Sequence, residues 1–239
     1  MFIEGLPDVE ALAILMADAS RSMRETELKT GEPKHRCIAL MTQEILNGMD
    51  DPQYEFANAT VACFSADSSG AKVVSLLEDH NPYTLKTYTQ NPHPDYWDPL
   101  SPDNCTQGMG NLTPLGTALA WARAKAEQWV NAADGQVQRR AVIYLLSDGM
   151  NNYGPDGRAE KTAIAAFNAT CEKGYIRLAT IGYFQSPADT PPGTNPEEDA
   201  GRQLLQDLPL NPSAYFESDN ATDMVRYILS TTTQVMHHA

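Results

Sequence analysis

Asp18, Ser20 and Ser22 stand at alternate positions in the stretch DASRS, directly after the apolar run ALAILMA. One carboxylate and two hydroxyls at this spacing allow two readings. They can form a turn that ends a strand, or they can present oxygens to a hard cation. Two more groups further along bear on the choice. Thr113 lies in the stretch GNLTPL, and Asp148 follows the apolar run AVIYLLS. The full set is two carboxylates and three hydroxyls, with no histidine or cysteine. An all-oxygen, hydroxyl-rich set suits Mg²⁺ or Mn²⁺ better than zinc or copper. Mg²⁺ prefers an octahedron and keeps several waters, so such a set leaves room for an outside ligand. Only the two aspartates carry charge, so the cation stays electrophilic. Its best remaining partner is a carboxylate, Asp or Glu, from another protein. Taken singly, each group also has a structural reading. Thr113 before Pro114 is a natural helix N-cap with proline at the first helical position, and Asp148-Gly149 is an ordinary turn signal.

The elements that must position these groups follow from hydrophobic periodicity. Residues 11–17 form a continuous apolar run, as expected for a strand buried on both faces. Pro33 can open a helix, and Ile38, Met41, Thr42, Ile45, Leu46 and Met49 then recur at helical spacing until Asp50-Asp51-Pro52 ends it. Strands are expected at 54–64 and 72–77. The short polar turn between them permits only an antiparallel pair. Leu115, Ala118, Leu119, Ala122, Ala126, Trp129 and Val130 mark one face of a helix. A strand at 141–146, a helix at 159–172 and a strand at 176–184 follow. A helix at 197–208, a short strand at 214–216 and a helix at 221–235 close the chain. Helices alternating with buried strands predict an α/β fold: a doubly wound, mostly parallel sheet with one antiparallel edge strand and helices on both faces. In such sheets ligands bind beyond the carboxyl ends of the strands. Asp18 and Asp148 each follow a strand, and Thr113 precedes a helix, so all three motifs should meet there.

No internal repeat or linker divides the chain, so one domain over 1–239 is expected. Residues 79–112 interrupt the pattern. Five prolines, with Tyr83, Tyr88, Tyr96 and Trp97 among them, indicate a long insertion leading into Thr113. His80 and His93 share it with Asp79, Asp95, Asp98 and Asp103, which reads as a solvated loop before a second metal site.

The composition excludes several functions. With 31 acidic against 17 basic residues and a net charge of -14, no basic stripe is available for nucleic acid or an anionic membrane. The 4 cysteines are far apart and form neither a CxxC pair nor a disulfide framework. No apolar stretch approaches the roughly 20 residues of a spanning helix, and the first residues lack a signal-peptide pattern. A reducing cytosol is the expected compartment. On that basis the N-x-T triplets at Asn58, Asn104, Asn111, Asn168 and Asn220 read as chance. Neither a G-x-S-x-G elbow nor a phosphate-binding G-x-x-x-x-G-K-[ST] loop occurs.

The three motifs together resemble the von Willebrand factor A domain and its metal-ion-dependent adhesion site. DASRSM is similar to that family's D-x-S-x-S element, GNLTPLGTAL to its threonine loop, and VIYLLSDGMNN to its second aspartate. The resemblance covers nearly the whole chain. It implies a Rossmann-like fold with the metal on the upper edge of the sheet. Ser20, Ser22 and Thr113 would contact Mg²⁺ or Mn²⁺, and Asp18 and Asp148 would bind it directly or through water. Arg21 stands where the family often has glycine and is read as an exposed contact to a partner, with Asn111 and Gly149 beside it. The insertion at 79–112 is longer than such domains usually carry and would form the rim. The expected function is a non-enzymatic, Mg²⁺-dependent protein–protein interaction module. The cytosolic members it is similar to are bacterial accessory proteins that work beside AAA+ ATPases or kinase and phosphatase partners. The alternative is a metal-dependent hydrolase using a Mg²⁺-bound water. It needs a base near the motifs, and the sequence places no histidine or lysine there.

Overall fold

The computed structural model describes residues 9–24, 34–82, 110–134, 137–184, 193–218 and 220–237. The insertion therefore lies outside the described residues except at its ends, as do residues 25–33 and 185–192.

Six strands form one sheet: β1 (Val9–Asp18), β2 (Ala57–Asp67), β3 (Gly70–His80), β4 (Gln138–Ser147), β5 (Gly174–Gly182) and β6 (Tyr215–Glu217). Their order is β3-β2-β1-β4-β5-β6. Every pairing is parallel except β2 with β3. The expected antiparallel edge is therefore β3, joined to β2 by a tight turn in which the Asp67 carboxylate accepts from the Ser69 backbone N–H at 2.7 Å. Helices α1 (Arg21–Arg24), α2 (Lys34–Gly48), α3 (Leu115–Asn131), α4 (Arg158–Thr170), α5 (Pro196–Asp207) and α6 (Ala221–His237) complete the described elements.

Two apolar layers cover the sheet, and strand alternation assigns residues to them. Ala11, Ala13 and Leu15 of β1 face Ile38, Met41 and Ile45 of α2 and Met224 and Ile228 of α6. Leu12, Ile14 and Met16 face Leu115, Leu119 and Ala122 of α3 and Ile164 of α4. β1 is thus buried on both faces, which is why its sequence is a continuous run rather than an alternation. The predicted helical stripe of α2 is buried as expected.

Several boundaries differ from expectation. β2 starts at Ala57 rather than at 54, because Pro52–Tyr54 forms a short 3₁₀ turn capped by the Asp51 side chain. β3 runs on to His80, so the first two residues assigned to the insertion are strand. Gly174 opens β5 and does not stop α4, which ends at Cys171 in extended conformation. No Cβ fits at Gly174, since it would lie 1.6 Å from the Arg139 carbonyl oxygen of β4.

The closing helix α6 is fixed by two tyrosines. The fully buried Tyr144 of β4 donates its hydroxyl to the Ile228 carbonyl at 3.0 Å. Tyr54 donates to the adjacent Leu229 carbonyl at 3.2 Å. These are bonds from side chain to helix backbone, so they set the axial position of α6 as well as its packing.

Candidate metal centre

The register of the sheet brings the two aspartates together. β1 and β4 pair in parallel up to Ala17 opposite Leu146, so Asp18 and Ser147 leave the sheet level with each other. The Ser147 hydroxyl donates to Asp18 Oδ2 at 2.7 Å, and the Ser20 backbone N–H donates to Asp18 Oδ1 at 2.8 Å. Asp18 is therefore held by its own turn on one side and by the end of β4 on the other. Ala19 N–H donates to the Phe64 carbonyl of β2 at 3.0 Å, which folds the chain over the top of the sheet. Beyond it the Ser20 and Ser22 hydroxyls lie 3.2 Å apart, while Arg21 between them is exposed. The alternation in DASRS thus separates two converging hydroxyls from an outward cation.

The threonine loop is tied to both aspartate loops. The Asn111 carbonyl accepts from Arg21 N–H at 3.3 Å. Leu112 exchanges two backbone hydrogen bonds with Ala66, of 2.8 and 2.9 Å, forming a one-residue bridge to β2. Gly110 N–H donates to Ser65 Oγ at 2.7 Å. On the other side, Asn152 Oδ1 accepts from Thr113 N–H at 2.6 Å, and Asn151 Oδ1 accepts from Leu115 N–H at 3.0 Å. The expected Thr113 cap is corrected by this arrangement. Helix α3 begins at Leu115, Pro114 occupies the cap position without a side-chain bond, and Asn151 supplies the oxygen for the first helical N–H. The Thr113 hydroxyl takes no part in the cap.

Burial governs the electrostatics of these loops. Asp18, Ser20, Thr113 and Asp148 are all buried, at 1%, 1%, 1% and 3% exposure. Burial, with the Asp148 charge as the second cause, pushes the Asp18 carboxyl up to about 7 despite the bonds from Ser147 and Ser20. Asp148 Oδ2 faces the buried Lys34 ammonium at 3.4 Å. Asp148 Oδ1 is also buried and, among the described residues, has no hydrogen-bond partner. A buried carboxylate oxygen without a partner is costly, and an unexplained one in a folded protein points to a missing ion or water. One buried ammonium faces two buried carboxyl groups, with hydroxyl oxygens beside them. That donor set fits a hard divalent cation. Among the described residues no group of three or more His, Cys, Asp or Glu comes together.

All five predicted ligand residues are brought into one hydrogen-bonded set of loops. Of the partner-facing residues, Arg21 and Asn111 are exposed. Gly149 is not: it is buried at φ 80°, and a Cβ there would lie 2.3 Å from the Gly201 carbonyl oxygen of α5. Its role is to let the chain turn after Asp148. Sequence reading missed Ser147, Asn151, Asn152 and Lys34. Three of these lie within five residues of Asp148, in the quoted run SDGMNN, and had a signal in their polarity. Lys34 had none, being 114 positions from its partner.

No protein-family model matches the chain, and no curated protein matches it significantly. Solved structures do resemble it. The pilus adhesin SpaC of Lactobacillus rhamnosus GG aligns at TM-score 0.62 with 13% identity, covering 95% of this chain and 30% of that one. The manganese-loaded TRAP protein of Plasmodium vivax aligns at 0.57 with 15% identity, covering 95% and 74%. Proximal thread matrix protein 1 of the mussel byssus, solved with a zinc-occupied metal-ion-dependent adhesion site, aligns at 0.53 with 15% identity, covering 95% and 48%. The chain spans less than half the length of the matrix protein and under a third of the adhesin. At these identities the likeness defines the fold: a von Willebrand factor A-like α/β domain with six strands and one antiparallel edge.

Proposed function

We propose that this chain is a metal-dependent protein–protein interaction module. Asp18, Ser20, Ser22, Thr113 and Asp148 would hold a Mg²⁺ or Mn²⁺ ion, and a carboxylate from a partner protein would complete its coordination. The observation that carries this reading is the unpartnered, buried Asp148 Oδ1 beside the buried Asp18 carboxyl. The ion would supply a Lewis-acidic position for the incoming Asp or Glu. The chain's own residues do the rest. Ser147 and the Ser20 backbone orient Asp18, and Asn151 and Asn152 hold the threonine loop against the second aspartate loop. Exposed Arg21 and Asn111 flank the position and offer a cation and an amide to an acidic partner. The zinc and manganese named for two fold neighbours support a divalent ion, and the all-oxygen donors favour Mg²⁺ or Mn²⁺ over zinc.

Within this proposal the 1–239 segment is one domain, and the 79–112 insertion forms the rim. The partner is a protein of an AAA+ ATPase or kinase/phosphatase system in a bacterial cytosol. Two of the fold neighbours named above are a pilus adhesin and a thread matrix protein, which supports binding rather than turnover. Among the described residues no helix is long and apolar enough to cross a membrane. Calorimetric titration with Mg²⁺ and Mn²⁺ tests the site: wild type binds one ion, and Asp18→Ala does not. A pull-down with and without chelator then tests the partner. Equal ion binding by Asp18→Ala, or capture indifferent to chelator, overturns the reading.

A further inference from the structure

Lys34 is the first residue of α2, where the positive end of the helix dipole disfavours a cation. Its side chain is also 5% exposed, and a desolvated ammonium is unfavourable without a partner. Its only hydrogen-bond or ion-pair partner among the described residues is Asp148 Oδ2, reached across the core-facing edge of the site at 3.4 Å. That separation is an ion pair, yet it is longer than the 2.7–2.9 Å of a tight charge-assisted bond. The pairing offsets charge without locking geometry, and the ammonium sits on a flexible four-carbon stem.

We infer that Lys34 is a built-in counter-cation for Asp148, one that a divalent ion has to compete with to enter the site. The inference rests on the metal-site reading above. Without an ion, the buried Asp148 carboxylate needs a positive charge nearby, and Lys34 supplies it from within the chain. With an ion on Asp148, the ammonium stands a few ångströms from a divalent cation, and the two repel in a poorly screened interior. The ion pair and the metal are therefore antagonistic. Lys34 weakens metal affinity and stabilises the metal-free fold. A module built this way responds to metal concentration instead of holding its ion permanently.

The test compares wild type with Lys34→Met, which keeps the stem and removes the charge, with Lys34→Arg as the charge-retaining control. Mg²⁺ and Mn²⁺ affinities are measured by calorimetry, and thermal midpoints in chelator and in excess metal. Lys34→Met is expected to bind metal about tenfold more tightly or better, as expected for removing one nearby charge. In chelator its midpoint falls by several degrees, and the upward shift on adding metal is larger than in wild type. Lys34→Arg stays close to wild type in affinity. Wild-type binding with unchanged or weaker affinity in Lys34→Met overturns the inference and leaves the metal site standing. If Lys34→Met does not fold, Lys34→Gln carries the same comparison. If wild type and Lys34→Met both fail to bind either ion, the metal reading falls and the inference falls with it.

Discussion

The Asp18 carboxyl makes the metal-free protein sensitive to pH in a definite direction. In the folded chain it keeps its proton up to about pH 7, whereas the unfolded chain releases it near 3.8. Between those values the folded state binds more protons, so stability in chelator falls as pH rises through that window. Saturating metal requires the carboxylate and removes the decline. Denaturant unfolding at about pH 4.5 and about pH 7.5, with and without Mg²⁺, checks this; stability that rises with pH in chelator contradicts it. On the proposed reading, Asp148→Ala removes a candidate ligand whose Oδ1 has no hydrogen-bond partner among the described residues, and it should cost about 100-fold or more in divalent-ion affinity by calorimetry. The five candidate residues could be singled out because their types and order are read directly along the chain. Ser147, Asn151, Asn152 and Lys34 were not, because a splint or a counter-ion is defined by what it touches after folding. Thr113 shows the same limit. Its cap reading was sound chemistry, yet Asn151 from another loop supplies the bond.

Loops held this closely to the sheet depend on two glycines. A Cβ at Gly110 would lie 1.9 Å from the Ala66 carbonyl oxygen, with no side chain able to yield. Gly110→Ala should therefore displace the threonine loop from β2, lowering both thermal midpoint and metal affinity. A drop in stability with unchanged affinity would show the loop to be uncoupled from the site. Gly149→Ala combines the same kind of clash with a left-handed backbone and should cost about 1–3 kcal/mol by equilibrium unfolding. At this scale the sequence was informative about which elements exist and less so about their ends. β3 outran its apolar signal because Glu78 and Asp79 near its end are exposed and polar, with Glu78 pairing with Lys125 of α3 at 2.9 Å. The start of α5 was signalled locally, since Asn195 caps it and Pro196 takes its first position.

The described residues pack as two apolar layers against one sheet, and the five candidate ligand residues belong to neither. Chelation should leave the far-ultraviolet circular dichroism spectrum unchanged while partner binding is lost; unfolding on chelation would contradict the division between core and site. Ile14→Ala, in a strand buried on both faces, should cost about 2–5 kcal/mol. The doubly wound sheet was readable because continuous apolar strands and amphipathic helices alternate, and only one connection was too short for a crossover. The tyrosine bonds to α6 were not readable, since nothing local marks which carbonyl a hydroxyl will meet. They carry a mechanical consequence. Tyr144 and Tyr54 hold consecutive carbonyls of α6 from different parts of the fold, so the helix acts as a bolt, not a piston. A shift of the helix is therefore transmitted to Tyr144, which sits on the strand that leads into Asp148.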